Sequence, residues 1–276
     1  MLRSSAVNKT IIITGGSSGI GAAAARELRR QGATVAITGR SAETARLANE
    51  IGCDHYHADF ARFRDIRMLA EELLAKYSRI DVLANNVGGV FAKREITEDG
   101  HEKTLQVNHL SAFLLTWLLR GRLESSEATV INTSSGAHRM GRLDFDDLEN
   151  ARHYSPWRAY GTAKLMNVLH ASELNRRFDG VHGLSFHPGV VATGFAREGN
   201  PVTRMFYKPP FSKIFMITPE KGADTLAWLA TTQPVADWKP GQYYVKRKLA
   251  SRSRAASDPD LARRWWDESM RLAGIA

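Results

Sequence analysis

A tyrosine and a lysine stand four positions apart in "YGTAK", within a stretch that has the pattern of a helix. Residues at i and i+4 project from the same face of a helix, so Tyr160 and Lys164 can present a hydroxyl group and a positive charge to one small volume. A nearby cation stabilises a phenolate and brings the phenol closer to exchanging a proton at neutral pH. The pair could therefore act as an acid–base unit, although two solvated side chains on an amphipathic helix would show the same spacing.

A glycine-rich loop near the start of the chain supplies a second candidate site. The segment "KTIIITGGSSGIGAAAARELRRQGATVAITGR" begins with β-branched residues typical of a buried parallel strand and passes through the loop into an alanine-rich helix. Gly15, Gly19 and Gly21 fall where the backbone must turn tightly and leave room for a pyrophosphate at the N-terminus of the helix. Because the loop lies between a strand and a helix, it predicts dinucleotide binding.

The two motifs together resemble the short-chain dehydrogenase/reductase family. The loop reads Thr-Gly-x-x-x-Gly-x-Gly, with three residues between its first two glycines, and "YGTAK" follows much later in the chain. The segments "HPGVV" and "DPDLARRWWDESMRLAG" resemble the retinol-dehydrogenase-like and protochlorophyllide-reductase-like subgroup. The resemblance covers nearly the whole chain and implies an oxidoreductase that transfers a hydride between a dinucleotide and a carbonyl or alcohol.

The resemblance also implies a catalytic set of four residues. Asn108 in "LQVNHLSAF" matches the asparagine that holds a proton-relay water, and Ser135 in "TVINTSSGAH" matches the serine that hydrogen-bonds the substrate oxygen. Ser134 is the alternative for that serine. Tyr160 is expected to exchange a proton with the substrate oxygen, while Lys164 assists the phenol and contacts the nicotinamide ribose. Such positioned acid–base assistance commonly contributes ~10²–10⁴ in rate.

Further segments carry the residues that the resemblance assigns to the dinucleotide. They are the glycine loop, the end of the second strand, "HADF", "IDVLANNVGG" and "HPGVVATGF". Val87 replaces the family's usual alanine, and we expect a small repacking there. The residues expected to contact the cofactor are Gly15, Ser17, Ser18, Gly19, Ile20, Gly21, Arg40, Asp59, Phe60, Asn85, Asn86, Gly88, Tyr160, Lys164, Pro188, Gly189, Val191 and Thr193. No metal is expected.

The end of the second predicted strand indicates NADP(H) in preference to NAD(H). In "TVAITGR" the strand ends at Gly39 and Arg40, where an NAD-selective relative would place a carboxylate that binds the ribose hydroxyls. The next acidic residue is Glu43, in the following helix. The Arg40 guanidinium could instead pair with the 2′-phosphate, and Ser17 and Ser41 could add hydroxyl donors. An Arg40 side chain that points into solvent is the alternative.

Alternating strand and helix patterns predict a single α/β domain over residues 1–276. We expect a Rossmann fold in which a doubly wound parallel sheet of about seven strands is covered by helices on both faces, with ligands at the carboxyl ends of the strands. The predicted strands are 10–14, 33–38, 54–58, 80–84, 128–133, 181–186 and 242–246. The predicted helices are 20–31, 41–51, 62–77, 97–120, 156–178, 218–231 and 258–272.

Two segments outside this alternation are expected to line the substrate site. Residues 136–156 separate the catalytic serine from the tyrosine helix and are long, as in the retinol-dehydrogenase-like subgroup. Residues 194–217 hold many large apolar side chains, which favours a lipophilic pocket under a mobile lid. Packing of these side chains on the domain core or on a partner subunit is the open alternative, and it leaves a homo-oligomer open as well.

Composition limits the remaining classes of function. The chain has 276 residues, 43% of them hydrophobic and 24% charged, as in a globular α/β domain. Neither a long apolar run nor a signal-peptide pattern is present, so we expect a cytoplasmic protein with no membrane span. The single cysteine cannot form an internal disulfide, which agrees with a reducing compartment.

Three other functions are less consistent with the sequence than an oxidoreductase is. The net charge of +9 suggests a nucleic-acid binder, but the basic residues are scattered and no nucleic-acid motif accompanies them, so we expect no nucleic-acid partner. The basic cluster 246–254 could be a solvated loop, a contact with an anionic surface or a rim for a phosphorylated cofactor, and the sequence does not choose among these. A sugar epimerase or dehydratase would carry a Gly-x-x-Gly-x-x-Gly loop and a substantial C-terminal domain, and the sequence shows neither. A catalytically silent dinucleotide sensor of the same fold usually lacks part of the catalytic set, which is complete here.

Overall fold

Eight strands form one sheet in the computed structural model, which describes residues 6–189 and 217–275. The strands are β1 (Thr10–Ile13), β2 (Thr34–Gly39), β3 (Asp54–His57), β4 (Val82–Asn85), β5 (Thr129–Thr133), β6 (His182–His187), β7 (Tyr243–Val245) and β8 (Lys248–Leu249). Their order across the sheet is β3-β2-β1-β4-β5-β6-β7-β8. The first seven in this order are parallel, and β8 is antiparallel to β7. The order reverses between β1 and β4, the switch point where Rossmann folds bind ligands.

Helices cover both faces of this sheet. They are α1 (Gly19–Arg30), α2 (Ala42–Ile51), α3 (Phe63–Lys76), α4 (Lys103–Leu105), α5 (Ser111–Leu118), α6 (Arg120–Ser125), α7 (Pro156–Arg177), α8 (Pro219–Thr231) and α9 (Pro259–Leu272). A π-helical turn, Gln106–Leu110, joins α4 to α5. Short 3-10 helices lie at Gly136–Met140 and Ala255–Ser257. The expected α/β Rossmann fold is confirmed.

Strand β1 shows how the apolar residues build a core on each face of the sheet. Ile11, Ile12 and Ile13 are fully buried. Because side chains alternate along a strand, Ile12 packs with α3, α5, α7 and α9 on one face, while Ile11 and Ile13 pack with α1, α2 and α8 on the other. A strand that is apolar on both faces is what a covered parallel sheet requires.

Helix α7 carries the "YGTAK" segment through the interior. It spans 22 residues, starts with Pro156 in its first turn and is buried continuously from Ala159 to Ala171. The helix packs against the 3-10 helix that follows β5 and against α9. Over residues 6–189 and 217–275, no helix combines the length and the apolar character needed to cross a membrane.

The structure corrects two details of the predicted elements. The seven predicted strands are present, and the two-residue strand β8 is an eighth that the sequence pattern did not indicate. The prediction of a helix that starts at residue 97 was wrong. Residues 97–102 form a turn in which Gly100 has a φ of +86°, and the Glu102 carboxylate then caps α4 by accepting hydrogen bonds from two main-chain N–H groups.

Candidate active site

Lys164 places an ammonium group in the interior of the site. The residue is 2% exposed, and its Nζ donates a hydrogen bond to the main-chain oxygen of Thr133 at 3.2 Å. Burial lowers the pKa of Lys164 to about 7, because the charged form loses its hydration. An ammonium has three N–H donors. Since only one of them bonds to the described part of the chain, two remain for a ligand.

The Tyr160 ring lies next to this ammonium group. The Nζ atom of Lys164 is 5.4 Å from the ring centroid, so the predicted placement of both side chains on one helical face is confirmed. Trp157, one turn earlier, packs edge-on against the Tyr160 ring with the centroids 6.2 Å apart. Tyr160 is buried, whereas Trp157 remains 41% exposed. The tyrosine therefore has a cation on one side and an accessible aromatic ring on another.

The two serines after β5 differ in what their hydroxyl groups do. Ser134 is buried, and its Oγ donates a hydrogen bond to the main-chain oxygen of Lys164 at 2.8 Å. The Oγ of Ser135 accepts a hydrogen bond from the N–H of Ala137 at 3.2 Å and caps the 3-10 helix. Within the residues described, the Ser135 hydroxyl donates to no protein acceptor, so its proton is available to a ligand oxygen. This geometry favours Ser135 over Ser134 as the substrate-binding serine.

Two glycines let the segment after Ser135 pack closely against α7, and a histidine bonds within that segment. A Cβ atom at Gly161 would lie 2.8 Å from the oxygen of Ala137, and one at Gly141 would lie 2.5 Å from the oxygen of Gly161. His138 Nδ1 is 2.7 Å from the main-chain oxygen of Ser135. Burial lowers the pKa of His138, which therefore stays neutral near pH ~7. The close packing places Ser135 near the start of the buried part of α7.

Asn108 lies in the π-helical turn, and its side chain is fully engaged. Its Oδ1 accepts from the N–H of Gly89 at 3.0 Å, and its Nδ2 donates to the main-chain oxygens of Gly89 and Thr104, each at 3.0 Å. The main-chain oxygen of Asn108 is therefore the group that could hold a water. Single π turns inside helices occur frequently at functional sites.

The glycine loop between β1 and α1 has room for a pyrophosphate. Gly15 and Gly19 have φ values of +67° and +57°, a region that favours glycine. A Cβ atom at Gly21 would lie 2.3 Å from the oxygen of Gly15. Ser18 precedes α1 without a side-chain cap in the described structure, so the first N–H groups of the helix are open to an anion. The loop fits the phosphates of a dinucleotide.

The loop after β4 brings this phosphate site and Lys164 together. The Nδ2 of Asn86 donates hydrogen bonds to the oxygens of Thr14 and Gly15 at 3.0 and 3.3 Å. A Cβ atom at Gly88 would lie 2.9 Å from the Nζ of Lys164. The backbone of Gly88 therefore lies against the ammonium group, at the carboxyl end of the central strands.

Two residues that were expected to contact the cofactor have side chains that point elsewhere. The Nδ2 of Asn85 donates to the Oγ1 of Thr116 at 3.0 Å, inside the protein. The ring of Phe60 is 3% exposed and packs in the core beside α3 and α5. For both residues only main-chain atoms could face a dinucleotide, and their contact with the cofactor stays a prediction. Asp59, just before Phe60, is partly exposed.

The end of β2 presents polar donors at the surface. Arg40 is exposed. A Cβ atom at Gly39 would lie 3.3 Å from the Oγ of Ser17, which places that hydroxyl beside the strand end. The carboxylate of Glu43 forms an ion pair with Arg46. The hydrogen bond from Arg46 lowers the pKa of Glu43. The nearest acidic residue along the chain is therefore engaged in its own helix.

The last part of the predicted cofactor site is described only at its beginning. Pro188 and Gly189 follow β6, and Gly189 has a φ of +95° with Ile217 close to it. Val191 and Thr193 lie outside the described residues, as does the predicted lid apart from Ile217.

Sequence reasoning missed a group of buried polar residues behind the site. Asn167, one turn after Lys164 on α7, is 4% exposed, and His109, next to Asn108, is fully buried. In "KLMNVLH" a polar residue stands three positions after Lys164, among the apolar residues of the helix. This pattern could have indicated Asn167.

Comparisons with known proteins agree with the fold. A family model described as short chain dehydrogenase matches residues 9–201. The Streptomyces sp. (strain C5) protein DnrU, whose name proposes daunorubicin C-13 ketoreduction, is 44% identical over 274 residues, covering 96% of this chain and 93% of its own. Human retinol dehydrogenase 13 is 36% identical, covering 97% of this chain and 85% of its own.

Solved structures are also similar to this chain. An uncharacterised protein from Mycobacterium paratuberculosis matches with a TM-score of 0.79 and 30% identity, covering 98% of this chain and 95% of that one. The Pseudomonas aeruginosa RhlG/NADP active-site complex matches with a TM-score of 0.68 and 25% identity, covering 87% and 95%. The fold and the site are those of a Rossmann-type oxidoreductase. The chain belongs to the short-chain dehydrogenase/reductase family. It is an enzyme of this family that acts on CH–OH and C=O groups.

Proposed function

We propose that this enzyme interconverts a carbonyl and an alcohol on a lipophilic small molecule, with NADP(H) as its cofactor and Tyr160 as its acid–base residue. The observation that carries the proposal is the buried ammonium of Lys164, which lies against the Tyr160 ring on one side and against Gly88 of the dinucleotide loop on the other. A cation in that position assists proton transfer by the phenol and reaches the cofactor as well.

Reduction of a carbonyl places negative charge on its oxygen, and the protein must stabilise that charge and supply a proton. The bound dinucleotide supplies the hydride. The Ser135 hydroxyl, whose proton is not used within the described structure, donates a hydrogen bond to the carbonyl oxygen. Tyr160 transfers its proton to the same oxygen. In alcohol oxidation the same residues act in reverse.

Lys164 has two tasks in this mechanism. Its charge stabilises the phenolate that remains when Tyr160 gives up its proton. Its two remaining N–H donors can bind ribose hydroxyls, which orients the nicotinamide end of the cofactor. The hydrogen bond to Thr133 keeps the ammonium at the carboxyl end of β5 while it does both.

Three observations support NADP(H) over NAD(H). Arg40 is an exposed guanidinium directly after β2, and the Ser17 hydroxyl lies beside the same strand end. The acidic residue nearest along the chain, Glu43, is paired with Arg46. Arginine binds a phosphate with a rigid fork of donors, which suits a 2′-phosphate. The RhlG structure, which is similar to this chain, is an NADP complex.

A lipophilic substrate is supported by Trp157. Its ring is 41% exposed and packs edge-on against Tyr160, so a flat apolar molecule that reaches the tyrosine would contact the indole. The names of two relatives concern daunorubicin and retinol, and both of these are lipophilic molecules. We infer that residues 136–156 border this side of the site and that residues 1–276 act as one domain.

The test is a kinetic survey of the purified protein with NADPH and a series of ketones and aldehydes of increasing apolar surface. We expect turnover, with kcat/KM rising along the series, because apolar surface that leaves water contributes about 25 cal/mol per Å². A complete lack of turnover across the series, or a clear preference for its small polar members, would contradict the proposed substrate class.

A further inference from the structure

Asn167 bridges two main-chain carbonyl groups that border the site. Its Nδ2 donates hydrogen bonds to the oxygen of Asn108 at 3.1 Å and to the oxygen of Thr133 at 3.2 Å. The second of these oxygens also accepts the hydrogen bond from the ammonium of Lys164. The side-chain amide of Asn167 therefore fixes the acceptor that holds Lys164, together with the carbonyl of the π-helical turn.

The other end of the Asn167 amide contacts a histidine whose tautomer can be assigned. Its Oδ1 is 3.0 Å from His109 Nδ1, and the indole N–H of Trp265 donates to His109 Nε2 at 3.0 Å. An indole nitrogen is only a donor, so His109 Nε2 must be the acceptor and Nδ1 carries the proton. Ser269 is near Nε2 as well, but its hydroxyl donates to the Trp265 oxygen at 2.7 Å.

His109 stays neutral under working conditions. The ring is fully buried, and burial lowers the pKa of His109 to about 4. A neutral imidazole with its proton on Nδ1 donates a hydrogen bond there and requires an acceptor as its partner. The Asn167 oxygen must therefore face Nδ1, which dictates the orientation of the Asn167 amide. With the amide reversed, its oxygen would face two carbonyl oxygens, and buried polar groups left without partners are costly.

We propose that Asn167 is a positioning residue for the reaction and that Trp265, on α9, sets its orientation through His109. The inference rests on the proposed function, since it concerns where Lys164 is held relative to Tyr160. The direction of every hydrogen bond follows from the indole donor: Trp265 to His109, His109 to Asn167, and Asn167 to the two carbonyl groups. Helix α9 is thereby coupled to the active site through three side chains.

The test compares Asn167→Asp and Trp265→Phe with the control Trp266→Phe. The carboxylate of Asn167→Asp keeps the size of the side chain but removes the donor that both carbonyl groups require. Trp265→Phe removes the indole donor and keeps an aromatic ring. Trp266 is also buried, and it packs on Phe113 with the ring centroids 4.9 Å apart. Across the described residues its indole donates no hydrogen bond, so Trp266→Phe controls for lost packing.

We expect kcat of Asn167→Asp to fall by roughly 10- to 100-fold, since a small displacement of a catalytic group has effects of that order. Trp265→Phe should lower kcat by about threefold to tenfold, the effect of one hydrogen bond. The Kd of NADPH, measured by fluorescence titration, should rise by a clearly smaller factor than kcat falls in both variants, because Lys164 supplies only part of the cofactor contacts, and Trp266→Phe should keep the wild-type kcat. A purely structural role would not separate kcat from Kd in this way.

A second readout does not depend on activity. ¹⁵N NMR of the histidine side chains should show His109 with its proton on Nδ1 in the wild type, and a mixture of tautomers in Trp265→Phe. If Asn167→Asp fails to fold, the tautomer of His109 still tests the proposed directions of the hydrogen bonds. A proton on Nε2 in the wild type would overturn the inference, as would equal kcat losses in Trp265→Phe and Trp266→Phe. If Tyr160→Phe itself turned over normally, the proposed function would fail, while the tautomer result would stand on its own.

Discussion

The hydroxyl group of Ser134 donates a hydrogen bond of 2.8 Å to the main-chain oxygen of Lys164. This contact joins the end of β5 to the middle of α7 and uses the only proton that the Ser134 hydroxyl has. The neighbouring Ser135 hydroxyl accepts a main-chain N–H and keeps its own proton for a ligand. Within the described residues the two adjacent hydroxyl groups therefore differ, because Ser134 donates to the main chain while Ser135 could donate to a substrate.

Alanine substitutions should separate these two roles. Ser135→Ala should lower kcat by about 10²- to 10³-fold, the usual effect of removing a donor to a developing oxyanion. Its thermal midpoint should fall only slightly, because the same hydroxyl caps the short 3-10 helix. Ser134→Ala should lower the free energy of unfolding by ~1 kcal/mol, because a buried hydrogen bond is lost. Kinetics and thermal melts of both variants are the measurement. An active Ser135→Ala beside an inactive Ser134→Ala would move the substrate role one position back.

Arg40→Ala should change the affinity for one cofactor and not for the other. A hydrogen bond to a charged group contributes ~1.5–3 kcal/mol, so the Kd of NADPH should rise by roughly ten- to a hundredfold. The Kd of NADH should hardly change. Arg30→Ala is the matched control, since Arg30 is an exposed arginine that pairs with Glu27 at the far end of α1. Equal losses for both cofactors, or tighter NADH than NADPH in the wild type, would contradict the preference for NADP(H).

Trp157→Ala should impair large apolar substrates selectively. An aromatic contact contributes about 0.5–1.5 kcal/mol beyond area burial, so KM for a polycyclic ketone should rise about two- to tenfold. For a small aliphatic ketone KM should stay nearly constant. Trp157→Phe should recover most of the loss, because it restores a ring beside Tyr160. If both substrates were affected alike, the indole would be a structural support of Tyr160 and not part of the substrate site.

The raised pKa of His101 makes part of the free energy of unfolding depend on pH. Its Nδ1 is 2.9 Å from the Glu149 carboxylate and its Nε2 is 2.9 Å from the Leu272 oxygen. Burial opposes the charged ring, but the hydrogen bond and charge of Glu149 prevail and raise the pKa of His101. A raised pKa in the folded state adds stability below the unfolded pKa of ~6.5, and that stability is lost as pH rises through the folded pKa.

The measurement is urea unfolding of wild type and His101→Gln across this pH range. The wild type should be more stable than the variant at about pH 5.5, and the difference should shrink toward about pH 8.5. His182→Gln is the control of opposite sign. Burial lowers the pKa of His182, so the advantage of the wild type should be larger at high pH and smaller at low pH. A His101→Gln difference that grew with pH would refute the assignment of a charged His101.

Most of the fold could be predicted because the patterns that indicate it lie within short stretches of the sequence. Apolar runs mark strands such as β1 and β4, and the glycine loop marks the phosphate site. Strand β8 has only two residues, both exposed, and its pairing with β7 depends on a tight turn with positive φ at Lys246 and Arg247. The start of α4 depends on a contact outside the helix, since the main-chain N–H of Lys103 donates a hydrogen bond to the oxygen of Glu95.

The site was predictable where one segment carries the chemistry and unpredictable where distant segments meet. Tyr160 and Lys164 share one helix, so their spacing indicated their contact. Asn85 follows the family's motif, yet its amide turns inward to Thr116, which no local pattern could indicate. The link from Trp265 to His109 joins residues 156 positions apart. Such contacts are determined by how elements distant in the sequence pack together, and a single sequence does not reveal them.

Single-turnover reduction of a confirmed substrate by Tyr160→Phe shows whether Tyr160 transfers the proton. This variant keeps the ring that packs against Trp157 and Lys164 but has no proton to give. The rate of NADPH oxidation in the first turnover should fall by about 10²- to 10⁴-fold, while the Kd of NADPH stays near its wild-type value. A Tyr160→Phe enzyme that kept most of the wild-type single-turnover rate would show that Tyr160 does not transfer the proton.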